Sequence, residues 1–272
     1  GDKITFFVNG RYIYFDGWLK GFRRFNPQNV AYTDSTGAYH LSRDADGLGD
    51  SDIVPMNWSE RKYAQGKVTW HLSPLLKVSA NFIHDDQTSK AYSRMFFFNP
   101  DGIGNNYDVS NTWILSMSHS LNSNTFYTIG ASFFTRNVRY YLYEDPHDPH
   151  YAHPKLTLQD DPYSFLTGGT DLGRFHRYTG TKLVKVDLSS QVNQTHLIKT
   201  GVEFRRHEIY FESITLQPIA AQSDMNLAYN SPYIKTQILG TSSSSHNAYR
   251  HLPTEFSGYV QDKMEFSDLI VN

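Results

Sequence analysis

The segment around residue 48 concentrates side chains that can bind a cation. Four carboxylates surround two glycines there, in the order Asp44-Ala45-Asp46-Gly47-Leu48-Gly49-Asp50-Ser51-Asp52. Ca²⁺ prefers oxygen ligands on a sharply turning backbone, so Asp44, Asp46, Asp50 and Asp52 are candidate calcium ligands. The D-x-D-x-D-G order of an EF-hand and its Glu at position 12 are missing. The alternative, which we favour, is a solvated acidic loop without a metal.

A second segment spaces three histidines by three residues, at His147, His150 and His153. Neutral imidazole is a common ligand of transition metals, and a turn can bring such side chains together. Three prolines in the same segment favour an extended chain, which separates side chains. We therefore expect an ordinary proline-stiffened loop, with metal binding as the less favoured alternative.

Motifs that would carry catalysis are missing from the sequence. The chain has no Cys, which excludes disulfides, thiolate metal sites and Cys nucleophiles. No G-x-S-x-G, H-E-x-x-H or P-loop pattern occurs either. We therefore expect no enzymatic activity and no required cofactor, apart from the Ca²⁺ considered above.

The composition points to a membrane β-barrel. The 272 residues carry 25 Lys and Arg against 27 Asp and Glu, and this balance argues against a nucleic-acid partner. No run approaches 18 consecutive apolar residues, so the sequence contains no transmembrane helix. Aromatic residues nevertheless make up 15% of the chain, while its mean hydropathy is −0.52. A membrane β-barrel combines these properties because every second residue of its strands is apolar or aromatic.

Strict alternation of apolar and polar residues, which indicates β-strands, runs through the chain. In residues 63–72, for example, Val68, Trp70 and Leu72 alternate with Thr69 and His71. Similar segments cover residues 3–14, 76–82, 112–121, 127–136, 184–189, 198–205 and 256–266. No segment of comparable length has the 3.6-residue period of a helix. The sequence predicts eight complete antiparallel strands in meander order, with part of a ninth at the end.

The connections between these segments alternate in length. Tight turns are predicted at 73–74, 122–124, 193–194 and 267–268, whereas long excursions cover about 16–62, 85–110, 138–179 and 212–254. A soluble β-sandwich would keep both sets of connections short. Short turns at one end and long loops at the other are typical of outer-membrane barrels. An eight-stranded closed barrel remains an alternative, because eight strands can close.

The alternation also assigns the two faces of the strands. We expect the apolar face to contact lipid through Val68, Trp70, Val78, Phe82, Leu115, Ile129, Phe133, Val186, Val202 and Val260. Lys67, Lys77, Asn81, Ser116 and Lys185 should point inward. The candidates for lining a lumen are Arg11, Lys67, His71, Lys77, Lys185, Glu203, Arg205 and Lys263. Such residues either line a solute path or pair with one another and with a plug.

The two ends suggest a longer polypeptide. The sequence opens with Gly1-Asp2-Lys3 and closes with Leu269-Ile270-Val271-Asn272, which has the pattern of the first half of a strand. We expect an internal stretch of a larger barrel. Its sheet should therefore be open, without a ladder between residues 3–14 and 255–266, because an unfinished ninth strand leaves an unpaired edge.

The closing stretch Gly258-Tyr259-Val260-Gln261-Asp262-Lys263-Met264-Glu265-Phe266, with the strand that follows it, resembles TonB-dependent outer-membrane receptors. The opening Phe6-Phe7-Val8-Asn9-Gly10-Arg11-Tyr12 looks like a barrel strand of the receptors with a carboxypeptidase-like regulatory domain. The resemblance implies a 22-stranded barrel in the bacterial outer membrane, with an N-terminal plug. It also implies uptake of an unidentified ligand, driven by the TonB–ExbB–ExbD system. A porin, or a structural or binding barrel without this coupling, is the alternative.

Overall fold

The computed structural model describes residues 3–33, 36, 39–42, 48–153, 165–219, 232–266 and 268–271. These residues form sixteen β-strands and two short 3₁₀ helices, Arg94–Phe96 and Pro100–Gly102. The strands are β1 (Ile4–Phe15), β2 (Lys20–Phe22), β3 (Val30–Thr33), β4 (Tyr39–Ser42), β5 (Ile53–Pro55), β6 (Ser59–Ser73), β7 (Leu76–Ser89), β8 (Asn105–Ser120), β9 (Thr125–Tyr141), β10 (Gly173–Gln191), β11 (His196–Thr215), β12 (Gln217–Pro218), β13 (Thr236–Gln237), β14 (His246–His251), β15 (Thr254–Glu265) and β16 (Ile270–Val271). Within the described ranges, no helix has the length and apolar character needed to cross a membrane.

Ten of these strands build one large antiparallel sheet. Its order is β1-β6-β7-β8-β9-β10-β11-β15-β16, and β14 pairs with the far part of β11. Consecutive strands of this path are neighbours, and the connections between β6 and β7, β8 and β9, and β10 and β11 are tight turns. The predicted meander of eight complete strands followed by a short ninth is therefore confirmed, and the all-β fold class with it.

The sheet is open at both sides. In the described residues β1 pairs only with β6, and β15 pairs with β11 and β16. Within the ranges that the structure describes, no ladder joins β1 to β15, as the sequence predicts, and these strands do not close into the eight-stranded barrel that was the alternative.

The registers place apolar residues opposite apolar residues across the whole sheet. Val68 lies opposite Ala80, Ala80 opposite Leu115, and Leu115 opposite Ala131. The same row continues through Val184, Phe204 and Phe256. Opposite residues of an antiparallel pair point to the same face. The ten residues predicted to contact lipid thus share one face, which we call the apolar face, and the other is the polar face.

The long strands run further than the alternation indicates. The apolar pattern of β7 fades after Phe82, yet its ladder with β8 continues to Ser89. Likewise β10 begins at Gly173, although the sequence predicts a connection as far as residue 179. In these extensions both faces carry polar residues, so the alternation disappears although the backbone pairing persists. The real connections are consequently shorter, at 16–58, 90–104, 142–172 and 216–245.

The buried core lies in these connections and at the adjoining end of β11, and not between layers of the sheet. One apolar cluster contains Tyr151, Leu172, Ile214, Leu216 and Ile234. A second contains Met56, Phe96, Ile103 and Leu166. Backbone hydrogen bonds join different connections, including Phe22 N to Phe97 O at 2.8 Å and Ile234 N to Tyr151 O at 2.9 Å. We call this folded set of connections the loop cap.

Candidate functional site: the polar face and the loop cap

The eight candidate lumen-lining residues all lie on the polar face. Lys67 stands opposite Asn81, and His71 stands opposite Lys77. On the other side of the sheet Lys185 stands opposite Glu203, and the remaining candidates share this face by register: Arg11, Arg205 and Lys263. The strands position these side chains because they occupy alternate residues within unbroken ladders.

Some charges of the polar face are paired with a neighbouring side chain, and others are not. Lys185 lies 3.4 Å from Asp187, Arg205 lies 2.7 Å from Glu203, and Lys263 contacts Glu265. Tyr259 adds a hydrogen bond of 2.9 Å to Asp187. By contrast, within the described part of the chain the side chains of Arg11, Lys67, His71 and Lys77 have no hydrogen-bond or ion-pair partner. These four residues lie on β1, β6 and β7, and among the described residues Arg177 of β10 and Lys199 of β11 also have no such partner on this face.

Two bidentate ion pairs lie on the polar face near the loop-cap ends of β6 to β9. The sequence pattern does not identify them as a site. The guanidinium of Arg61 donates hydrogen bonds to both carboxylate oxygens of Asp85, one through Nε at 2.8 Å and the other through Nη2. Arg136 binds Asp108 in the same way, with Nε 2.9 Å from Oδ1 and Nη2 2.5 Å from Oδ2. These residues, with Phe134 and neighbouring polar groups, line an open pocket of about 330 Å³.

The sequence pattern places Arg61, Asp85 and Asp108 in connections, because the alternation of apolar and polar residues ends before it reaches them. Their position on the polar face could have been predicted from spacing along the strand. Asp85 is an even number of residues from Lys77, so both side chains point to the same face. Bidentate arginine–carboxylate pairs hold their geometry better than single contacts do. The part of the polar face nearest the loop cap is thus a preorganised surface of mixed charge.

Buried polar side chains tie the connections of the loop cap together. The side-chain amide of Asn99, which is fully buried, donates to Gly169 O at 2.8 Å. The hydroxyl of Thr170, also buried, accepts from Ala152 N at 2.9 Å. Each of these buried hydrogen bonds holds two connections together, while the Oδ1 of Asn99 has no hydrogen-bond partner among the described residues. The cap is therefore a built surface at the long-connection end of the sheet.

Arg23 clasps two connections of the cap through carboxylates. Its guanidinium lies 2.6 Å from Asp101 and 2.9 Å from Asp50, and these interactions raise its pKa, the hydrogen bond to Asp101 most of all. The pKa of Asp50 is lowered, first by the hydrogen bond that its carboxylate accepts from Asp52 N and also by Arg23. We call these three side chains the Arg23 clasp.

The clasp bears on the predicted calcium loop. Asp44 and Asp46 lie outside the described residues, and one oxygen of Asp50 is engaged by Arg23. Over the ranges that the structure describes, no three His, Asp or Glu side chains are grouped closely enough to share a metal ion. The calcium site stays a prediction.

The three spaced histidines make separate contacts. The His147 ring lies 3.0 Å from Thr236 O, and the His150 ring lies 2.8 Å from Asp148. His153 is buried, with 1% of its surface exposed, and its backbone N–H donates to Pro232 O. Their nearest partners belong to the loop cap, so this segment contributes to its packing.

Arg174, at the start of β10, anchors the cap to the sheet. Its guanidinium donates to Tyr143 O at 2.6 Å and to Glu144 O at 2.7 Å, and it lies 5.2 Å from the centre of the Tyr141 ring. Burial is the main cause that raises the pKa of Tyr143 to about 12. The base of the cap thus combines buried phenols with a cation.

Comparison with known proteins identifies the fold. No family model matches the sequence, and no curated protein matches it either. Among solved structures, the outer membrane transporter YddB from Escherichia coli is similar over 99% of this chain, with a TM-score of 0.62 and 13% sequence identity. The chain spans 31% of the length of that protein. The likeness shows an outer-membrane-transporter type of β-sheet for this chain.

Proposed function

We propose that these residues form part of the wall of a transporter barrel in the bacterial outer membrane. The observation that carries the proposal is the two-faced meander, in which seven consecutive ladders keep an apolar row from Phe6 to Phe256 on one face and place Lys67, Lys77, Lys185 and Glu203 on the other. Its similarity to part of an outer membrane transporter supports the same conclusion. In this function the apolar face contacts lipid, and the polar face lines the lumen.

The open sheet argues for a barrel larger than these strands. Every unpaired backbone group in hydrocarbon costs several kcal/mol, so a β-sheet spans a membrane only as a closed barrel. Further strands must therefore pair with the free edges of β1 and β16. The long charged side chains of the polar face also fit a wide lumen better than the filled interior of an eight-stranded barrel.

The function of the polar face is to contact solute or plug. The unpaired cations Arg11, Lys67 and Lys77 suit carboxylates or phosphates of either partner, whereas the paired residues around Arg61 and Arg136 keep their charges satisfied locally. The role is binding and passage and not catalysis. The loop cap is the surface that meets an external ligand first, because the long connections lie at the extracellular end.

Single-cysteine labelling tests the assignment of faces. The described part of the wall contains no Cys, so Leu115→Cys and Ser116→Cys each add one thiol at adjacent positions on opposite faces. In full-length protein reconstituted in liposomes, a nitroxide at residue 115 should be accessible to oxygen dissolved in lipid. A nitroxide at residue 116 should be accessible to a water-soluble nickel chelate or shielded from both. The reverse result would refute the proposal.

Coupling to TonB–ExbB–ExbD through a plug is the finer part of the proposal, and it rests on the family resemblance of the Gly258–Phe266 stretch. The alternative is a porin-like barrel without coupling. Full-length protein in planar bilayers bathed in KCl separates the two, because a plugged receptor stays closed whereas a porin conducts steadily. Binding of the purified periplasmic domain of TonB to the full-length protein is the second readout, and only the coupled transporter should show it.

A further inference from the structure

Two cations lie directly opposite each other on the apolar face of the sheet. Lys182 of β10 is paired in register with Arg206 of β11, and both side chains are exposed. Among all the residues described, no carboxylate lies within ion-pair distance of either one. Like charges opposite each other in a ladder destabilise it. An anion held between the two side chains would remove that repulsion.

The neighbouring carboxylate on this face is already engaged. Glu208, two residues beyond Arg206, lies 2.6 Å from the guanidinium of Arg250 on β14. That ion pair leaves Lys182 and Arg206 as a site of net positive charge. We call these two residues the cationic pair.

The depth of the cationic pair matches the boundary of a lipid layer. Lys182 lies nine residues from the short-turn end of β10 at Gln191, and a tilted strand needs about 9–11 residues to cross the hydrocarbon. Below the pair, on the same face, stand Val184 and Phe204, and further along the strands Val186 and Val202. Beyond it, toward the loop cap, the face becomes polar.

An aromatic row marks the same level on the neighbouring strands. Phe82, Trp113 and Phe133 follow one another in register, and Phe133 lies opposite Lys182. The rings of Phe82 and Trp113 are 4.2 Å apart, and the Lys182 ammonium lies 5.7 Å from the centre of the Phe133 ring. Aromatic rings and cations gather where hydrocarbon meets headgroups.

We propose that the cationic pair binds a phosphate group of a glycolipid in the outer leaflet. Lys182 and Arg206 hold the phosphate, and the acyl chains of the same lipid pack on Val184 and Phe204. The inference rests on the proposed function, because it requires that the apolar face contact lipid. Arginine and lysine provide complementary recognition here, since the guanidinium can bind two phosphate oxygens and the ammonium acts as a point charge.

Native mass spectrometry of the detergent-purified full-length protein tests this site, with diphosphorylated lipid A as the probe. Lys182→Gln/Arg206→Gln should weaken lipid A binding by about thirtyfold, since each basic residue near a charged membrane surface contributes a factor of about five. The matched control is Lys185→Gln/Lys263→Gln, which removes two cations of the polar face whose charges are already paired with Asp187 and Glu265. It should leave binding unchanged, and equal losses in both variants would overturn the proposal.

A variant with stronger lipid A binding shows that weaker binding in the double variant is not caused by misfolding. Glu208→Gln releases Arg250 beside the pair and should strengthen lipid A binding severalfold. Dephosphorylated lipid A should bind the unmodified protein as weakly as the probe binds the double variant. Displacement of lipid A by millimolar inorganic phosphate would instead indicate a site for free phosphate and would refute the lipid assignment.

Failure of this inference is distinguishable from failure of the proposed function. The labelled Leu115→Cys and Ser116→Cys proteins report the faces independently of any headgroup. If residue 115 meets lipid but the cationic pair does not affect lipid A binding, only the headgroup site is wrong. If residue 115 does not meet lipid, both proposals fall.

Discussion

A lysine placed at mid-depth on the apolar face should strongly destabilise the protein. Ile129 on β9 stands in register with Val186, between the tight turn and the level of the cationic pair. Ile129→Lys puts an ammonium near the bilayer midplane, where the cost is about 2–4 kcal/mol. The ratio of folded to unfolded protein should then fall by a factor of about 30 to 900.

Two further lysine substitutions on β9 distinguish the effect of depth in the bilayer from the effect of the face on which the lysine lies. Thr135 shares the face of Ile129 but lies six residues nearer the loop cap, about 20 Å along the strand, and Thr135→Lys should cost at most about 1 kcal/mol. Ser132→Lys points to the polar face and should cost about as little.

The assay is guanidinium unfolding of the full-length protein in lipid vesicles, followed by tryptophan fluorescence, with midpoints compared at constant slope. A cost for Ser132→Lys equal to or larger than that for Ile129→Lys would refute the assignment of faces. Equal costs for Ile129→Lys and Thr135→Lys would refute the depth.

Three predictions concern the loop cap and the polar face. Gly168→Ala should disrupt the cap, because a Cβ there would lie 1.8 Å from Asn29 O, and limited proteolysis of the connections should accelerate. The stabilisation that Asp50 contributes to the Arg23 clasp should be lost in acid: its pKa is lowered by the hydrogen bond from Asp52 N and by Arg23, so this contribution is complete above the ordinary pKa of an aspartate and disappears as the pH falls through the lowered, folded-state pKa. The difference in thermal midpoint between the unmodified protein and Arg23→Gln should shrink accordingly, and a constant difference would contradict the role of Asp50. Arg136→Gln should lower the free energy of unfolding by about 1 kcal/mol, since its bidentate pair is partly exposed, and an unchanged midpoint would contradict this.

The sequence by itself determined the strands of the wall, their order and their faces, whereas β2 to β5 and β12 to β14 lie in stretches that it assigns to connections. Alternation is local information: Val68 and Trp70 differ from Thr69 and His71 because the two faces of one strand meet different surroundings. The tight turns supply the rest, since a strand that turns back within a few residues must pair with its predecessor. The same pattern predicts that Lys67, Lys185 and the other polar-face residues point away from the apolar face.

The tertiary structure decided what alternation cannot encode. The far ends of β7 and β8 carry polar residues on both faces, so only the ladder itself shows that Asp85 and Asp108 belong to the wall. The loop cap depends on contacts between remote residues, such as Arg23 with Asp101 across 78 positions. Whether a charge is paired, as for Arg205, or unpaired, as for Lys67, also depends on the register of neighbouring strands. These are non-local contacts, and a period of two residues carries no information about them.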